Sequence, residues 1–296
     1  MGKKKTSIGA WAFIWGGYAE DPIPHEEAVK KIADLGFDGI EVAAFPPYLE
    51  SNTKENRMAM KKLYDDYGLA RSGLAAPFPS PCTSSRTEYL DAVKSNLEIC
   101  EDVDIPKLRV DTVDSSTGIP GGMDYESCFS KVADIWRESA ELCQKAGRQL
   151  IWEFEPEFLF NKPSEVVRMV YKVDHPNFTI LFDSCHAYMC GVMASRQMGE
   201  PEVLPGGVVQ FAHMLTGKIG HIHLIDSDET LHDEKTSTHA PLGRGVLNFD
   251  EIMPAIAEAG YDDEWWTIDL CFWPKALDVT AECKVYVDRL IEKYGK

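Results

Sequence analysis

Residues 1–296 read as a single-domain α/β protein, a (β/α)8 TIM barrel. Apolar runs of strand length alternate with amphipathic helical segments from one end of the chain to the other, and the alternation repeats eight times. The turn after the first run lacks the Gly-rich phosphate loop that opens the first helix of a doubly wound open sheet. Length agrees, since 296 residues suit one barrel, and the 17 prolines and 22 glycines are scattered instead of gathered into a linker.

The first strand is SIGAWAFIW (7–15), followed by HEEAVKKIADLGF, in which Ala28, Ile32, Leu35 and Phe37 share a face and Gly36 marks the stop. DGIEVAAF (38–45) leads into KENRMAMKKLYDDYG, and ARSGLAAPF (70–78) into TEYLDAVKSNLEICEDV. KLRVDTVD (107–114) precedes the long helix DYESCFSKVADIWRESAELCQKAG. QLIWEFEPE (149–157) precedes KPSEVVRMVYKV, where the fixed φ of Pro163 suits the first helical turn. FTILFDSCHAY (178–188) is followed by an insertion and the helix GGVVQFAHMLTG. KIGHIHLID (218–226) opens a second polar loop before NFDEIMPAIAEAGY, and EWWTIDLCF (264–272) with LDVTAECKVYVDRLIEKYG completes the set.

Thirty basic side chains stand against 48 acidic ones, a formal net charge of -18, so a polyanion such as DNA meets repulsion and no basic patch offsets it. The same charge argues against an anionic membrane surface, and nothing approaches the roughly 20 apolar residues of a membrane span. Eight dispersed cysteines without CxxC pairs read as buried free thiols of a reducing, cytoplasmic environment. The start MGKKKTS matches the MGxxx[ST] lipidation pattern, but the apolar stretch behind it fits better as the first strand than as a targeting segment.

In a barrel of this kind the active site lies at the C-terminal ends of the strands, so inward polar residues there become candidates. Strand five offers Glu153 and Glu155 on one face; Glu155 is nearer the rim and precedes Pro156, so it is favoured, with Glu153 the alternative one layer deeper. Strand six ends in Asp183 with His186 just beyond, strand seven carries His221 and His223, and strand eight ends in Asp269. Glu155, Asp183, His223 and Asp269 converging on one mouth repel unless a cation offsets them, and this mixed oxygen and nitrogen set suits one divalent ion, Mn²⁺ first, with Mg²⁺, Co²⁺ or Zn²⁺ as alternatives. Around that centre, His186, Arg196, His239 and Arg244 from the loops and Trp15 from the first strand are candidate substrate contacts. The GRG turn at 243–245 has the composition of a phosphate-holding loop, or of a plain turn. Arg109, Asp111 and Glu41 sit inward on strands four and two.

With WEFEPE, FDSCH, HIHLID, HAPLGRGVLNFDEI and WWTIDL in this order on successive strands, the second half of the chain resembles the sugar isomerase/epimerase and endonuclease IV-like superfamily of xylose isomerase-like barrels. The resemblance implies a metal held by Glu155, Asp183, His223 and Asp269, with Asp269 standing where ketose 3-epimerases have a longer Glu. It implies an isomerase or epimerase of a sugar or sugar-like polyol, in which Glu155 and Asp269 exchange a proton with the substrate through a metal-stabilised enediolate, and His186 faces the sugar. A related branch implies the alternative, a lyase or deglycosidase acting on 3-keto-glycosides by elimination; the loop ASRQMGEPEVLPGG leaves room for a larger glycoside. The histidines of the three-metal endonuclease site are missing from strands three and four, and Ser237 stands beside His239 where that family has Asp. The expected partner is therefore a small carbohydrate, not a nucleic acid, in a chain compatible with homo-oligomerisation.

Overall fold

The computed structural model describes residues 3–295, so Gly2, on which the lipidation pattern turns, lies outside the described residues. Eight parallel strands make the barrel sheet: β1 (Lys5–Ile8), β2 (Gly39–Ala43), β3 (Ala70–Ala75), β4 (Lys107–Val110), β5 (Gln149–Glu153), β6 (Phe178–Asp183), β7 (Ile219–Leu224) and β10 (Trp265–Ile268). β8 (Asp226–His232) and β9 (Thr236–Ala240) pair antiparallel as a separate hairpin. Sheet order is β1-β10-β7-β6-β5-β4-β3-β2, and a parallel bridge from Gly9 to Glu41 brings the two ends together. At that seam the Asp38 N–H donates to the Thr6 carbonyl at 3.0 Å and the Thr6 N–H donates to Asp38 Oδ2 at 2.9 Å.

Helices α1 (His25–Asp34), α2 (Lys54–Asp66), α3 (Arg86–Val103), α4 (Tyr125–Lys145), α5 (Pro163–Val173), α6 (Ser184–Gly191), α7 (Gly207–Met214), α8 (Phe249–Glu258) and α9 (Ala276–Tyr294) connect the strands. Their starts follow local chemistry. Ser85 accepts from the Glu88 N–H while the Glu88 carboxylate accepts from the Ser85 N–H, and Asp124 accepts from the N–H groups of Glu126 and Ser127. Each satisfies helix-end donors that would otherwise be left without partners. All eight cysteines are free and buried, and among the described residues no helix is long and apolar enough to cross a membrane.

Two stretches leave the strand reading for helix. Pairing of β1 stops at Ile8, and Ala10–Phe13 coil into a short 3-10 segment instead of continuing to Trp15. A barrel strand need only cross the sheet before the chain turns out towards its helix, and the turn is tight: a Cβ on Gly9 would lie 2.4 Å from the Trp11 ring. In FTILFDSCHAY the strand ends at Asp183 and the rest is α6, whose N-cap is Asp183 itself, accepting from the His186 N–H at 2.7 Å. One carboxylate thus both starts a helix and faces the barrel mouth.

Candidate metal centre and active site

Parallel pairing sets the site. Asp183 on β6 is in register with His223 on β7, and His223 with Thr267 on β10, so the next inward residue after Thr267 is Asp269. Glu153, Asp183, His223 and Asp269, all buried, bring one potential ligand atom each to within 4.8 Å of one another. Nδ1 of His223 lies 3.0 Å from Glu153 Oε1, 3.4 Å from Asp269 Oδ2 and 3.8 Å from Asp183 Oδ2.

Glu155 is absent from this quartet: of the two glutamates weighed on this strand, the fold brings the deeper Glu153 to the other three residues. Flat counting puts the rim residue of β5 level with Asp183. Barrel strands are tilted and staggered, and neighbouring strands feed different layers, so the deeper carboxylate arrives at the level of the other three. Glu155 instead lies beyond the end of β5, accepts a hydrogen bond from Thr236 Oγ1 of the hairpin, and has Arg109 Nη2 4.0 Å from its Oε1.

The ring of His223 is fixed from behind. Its Nε2–H donates to Glu41 Oε2 at 3.0 Å, and Glu41 also accepts from His221 Nε2 at 2.9 Å. Lys107 donates to His221 Nδ1 at 3.1 Å and pairs with Asp263 at 3.0 Å, so a buried polar chain runs under the site towards the bottom of the barrel. Asp269 is held in the same way, accepting on Oδ1 from Trp11 Nε1–H at 2.9 Å and from the Cys271 N–H at 2.8 Å. Arg109 Nη1 lies 2.7 Å from Glu153 Oε2 and its guanidinium sits 5.5 Å above the Trp11 ring.

Electrostatics register the crowding. Burial, with the neighbouring charge of Glu153, pushes Glu155 up to about 8, and burial pushes Asp183 up to about 7 against the pull of His239 and His223. Burial works to lower His223, but Glu41 and Glu153 outweigh it and hold the imidazole well above its ordinary value. His239 is likewise raised, to about 9, because Asp269 and Asp183 outweigh burial. Burial, helped by His239, lowers His186 to about 3, so this imidazole is neutral. Asp183 Oδ2 is buried with no hydrogen-bond partner. A buried carboxylate oxygen without a donor, facing an imidazole nitrogen and two further carboxylates, fits a divalent cation with oxygen and nitrogen ligands.

Above the quartet opens a cavity of about 640 Å³, lined among others by Trp11, Glu153, His186, His239 and Asp269 at its floor. His186 Nδ1 lies 2.8 Å from Ser237 Oγ, and its ring centroid is 4.8 Å from that of His239. Trp15 lines the wall, with its ring 5.0 Å from Phe45 and 6.1 Å from Phe272. Two expected contacts are not brought in: Arg196 donates to the Glu234 carbonyl at 2.6 Å, and Arg244 pairs with Glu282 at the surface at 2.6 Å. Both point out because acidic or carbonyl partners lie beside them on the outside. Phe45, Phe78, Phe158 and Thr236 line the cavity without having been singled out in the sequence; the three phenylalanines lie in loops beyond barrel strands and Thr236 opens β9, and only closure of the barrel turns these segments to a common centre.

Comparison with known proteins gives a consistent picture. The sequence model of the xylose isomerase-like TIM barrel family matches residues 29–283. The fructoselysine 3-epimerase of Escherichia coli O157:H7 is 23% identical over 261 residues, 84% of this chain and 86% of that protein. The D-psicose 3-epimerase of Ruminiclostridium cellulolyticum is 24% identical over 79% of this chain and 74% of that one. Among solved structures, the IOLI protein with a binding zinc atom superposes with a TM-score of 0.74 at 17% identity, covering 98% of this chain and 99% of that one.

Proposed function

This chain belongs to the xylose isomerase-like TIM barrel family, and on that footing we propose that it is a divalent-metal-dependent isomerase or epimerase of a sugar or sugar-like polyol. The observation that carries the reading is the buried quartet of Glu153, Asp183, His223 and Asp269 at the floor of a cavity. These four residues would hold the cation, Mn²⁺ by the ligand chemistry, with Mg²⁺, Co²⁺ or Zn²⁺ as alternatives. When bound, the cation supplies Lewis-acid polarisation of a substrate carbonyl and its neighbouring hydroxyl, which acidifies the C–H between them.

The chain's own residues then do the rest. Glu153 and Asp269 offer carboxylates to the same small volume, so one removes the proton and the other returns it; return to the opposite face inverts the carbon. Trp11 and the Cys271 N–H keep Asp269 aimed inward, and Arg109 does the same for Glu153. The neutral His186 and the proton-bearing His239 face the cavity as hydrogen-bonding groups for substrate oxygens, and Trp15 closes the side. The relatives that are sugar epimerases support the reaction class.

One observation favours elimination as a second reading. Glu155 is a cavity carboxyl outside the quartet, raised to about 8 by burial, so at neutral pH it carries a proton that it can give to a departing oxygen. Incubating the Mn²⁺-loaded protein with free ketoses and with 3-keto-glycosides in D₂O, followed by NMR, separates the two. Deuterium uptake or epimer formation supports the first and aglycone release the second; full turnover after EDTA stripping sinks both.

A further inference from the structure

We propose that Lys107, at the bottom of the barrel, is a positioning residue for the metal centre: hydrogen bonds that start at its ammonium run through His221 to Glu41 in one direction only, and so reserve Nδ1 of His223 for the cation. This rests on reading Glu153, Asp183, His223 and Asp269 as the metal ligands of the isomerase proposed above.

Lys107 opens β4 in register with Gln149 of β5, four residues before Glu153, which puts its backbone about 13 Å below the quartet at roughly 3.3 Å per residue. Its side chain is buried, and three acceptors surround the nitrogen: the Gly220 carbonyl at 2.9 Å, Asp263 Oδ2 at 3.0 Å and His221 Nδ1 at 3.1 Å. Burial lowers this ammonium and Asp263 opposes the change; three acceptors, one of them a carboxylate, match the three protons of the charged form. An ammonium cannot accept, so Nδ1 of His221 must, and that ring carries its proton on Nε2. The Nε2–H then points to Glu41 Oε2 at 2.9 Å. The other tautomer would set a nitrogen lone pair against a carboxylate oxygen at the same distance, and the ring would have to move. Thr267 Oγ1, 3.1 Å from the same nitrogen, can give its own proton to Ser7 Oγ at 2.7 Å and does not need that nitrogen as an acceptor.

Glu41 passes the effect upward. It is buried, and its Oε1 has no hydrogen-bond partner among the described residues, so the two imidazole donors on Oε2 are what hold the carboxylate. A Cβ on Gly73 would lie 3.1 Å from Oε1, so no side chain at that position of β3 props the group from the other side. His223 Nε2, 3.0 Å from Oε2, commits its proton downward, which leaves Nδ1 towards Glu153, Asp183 and Asp269. Tipping His221 removes one of the two donors that fix Glu41, and with it the group that sets the rotation of the His223 ring.

Charge and hydrogen-bond direction predict opposite signs. Removing a positive charge from beneath a bound dication tightens it by Coulomb attraction alone, whereas removing the donor weakens it. Mn²⁺ titration of the metal-stripped parent, Lys107→Met and Lys107→Arg, with thermal melts showing that each is folded, reads the difference. Lys107→Met is expected to bind Mn²⁺ about tenfold more weakly, and Lys107→Arg, which keeps a donor, to stay within about threefold of the parent. Lys107→Met binding as tightly as the parent, or more tightly, overturns the proposal. A second measurement needs no change at Lys107: ¹⁵N spectra of the stripped, histidine-labelled parent, with His221 assigned by the loss of its signals in His221→Gln. Nε2 protonated and Nδ1 bare is the expected result; the reverse overturns the proposal even if Lys107→Met does not fold. Failure of the isomerase reading shows differently, as an absence of metal-dependent C–H exchange in D₂O with every sugar while the affinity order and the His221 tautomer stand.

Discussion

Glu153 ends β5 and Glu155 lies two residues beyond it, and they meet different partners: Glu153 sits between His223 and Arg109, and Glu155 against Thr236 of the hairpin. Exchange of each for Gln separates their roles. Glu153→Gln is expected to lower kcat by about a thousandfold and to weaken metal binding, both read on the same preparation by turnover and metal titration. Glu155→Gln is expected to leave metal affinity within about twofold. Glu41, buried beneath His223, acts on the metal through that ring; Glu41→Gln is expected to weaken metal binding about tenfold to a hundredfold, and equal affinities for variant and parent protein would remove Glu41 from this role. Protonation competes with the cation at Asp183, whose carboxyl sits at about 7, so metal affinity is expected to fall as pH drops through 7, steeply enough to follow by titration at pH 6, 7 and 8.

The hairpin β8–β9 is the element that distinguishes this barrel's mouth. Its strands carry Thr236, Ser237 and His239 to Glu155, His186 and Asp269, so it supplies one side of the site. No Asn-Gly or Asp-Gly turn marks it in the sequence, and its tip uses positive φ at Asp233 and Glu234, residues that do not signal such a turn on their own. Asp226, at its first position, is 1% exposed and accepts from the N–H groups of Ser227, Gly243 and Leu247. Asp226→Ala strands three backbone donors, that of Ser227 buried and those of Gly243 and Leu247 in part-buried bonds, and is expected to cost about 2 kcal/mol in denaturant unfolding. An effect within about 0.5 kcal/mol would mean that the turn holds without its carboxylate.

For the molecule as a whole, a cation held by the proposed quartet would couple to folding. Stripping it with EDTA is expected to lower Tm by roughly 5 to 10 °C, since the fold then keeps its carboxylates crowded without compensation. The stripped protein should also lose stability as pH rises from 7 to 9. His239 is raised to about 9 and Glu155 to about 8 in the fold, so between those values and their lower unfolded ones the native state binds more protons, and deprotonation favours unfolding. Thermal melts across this range, with and without Mn²⁺, check both statements. The barrel itself was legible in the sequence because its determinants are local: hydrophobic period, helix caps such as Ser85 with Glu88, and eight repeats of strand and helix. That Asp183, His223 and Asp269 meet at one end of the barrel was legible for a related reason, since a polar residue ending an apolar strand is visible without knowing its neighbours. Which glutamate of β5 joins them was left to the tertiary structure, because strand stagger moves inward positions between layers by an amount that no single strand encodes. The same holds for Arg196 and Arg244, whose partners Glu234 and Glu282 lie 38 residues away and draw both side chains out of the cavity once the chain is folded.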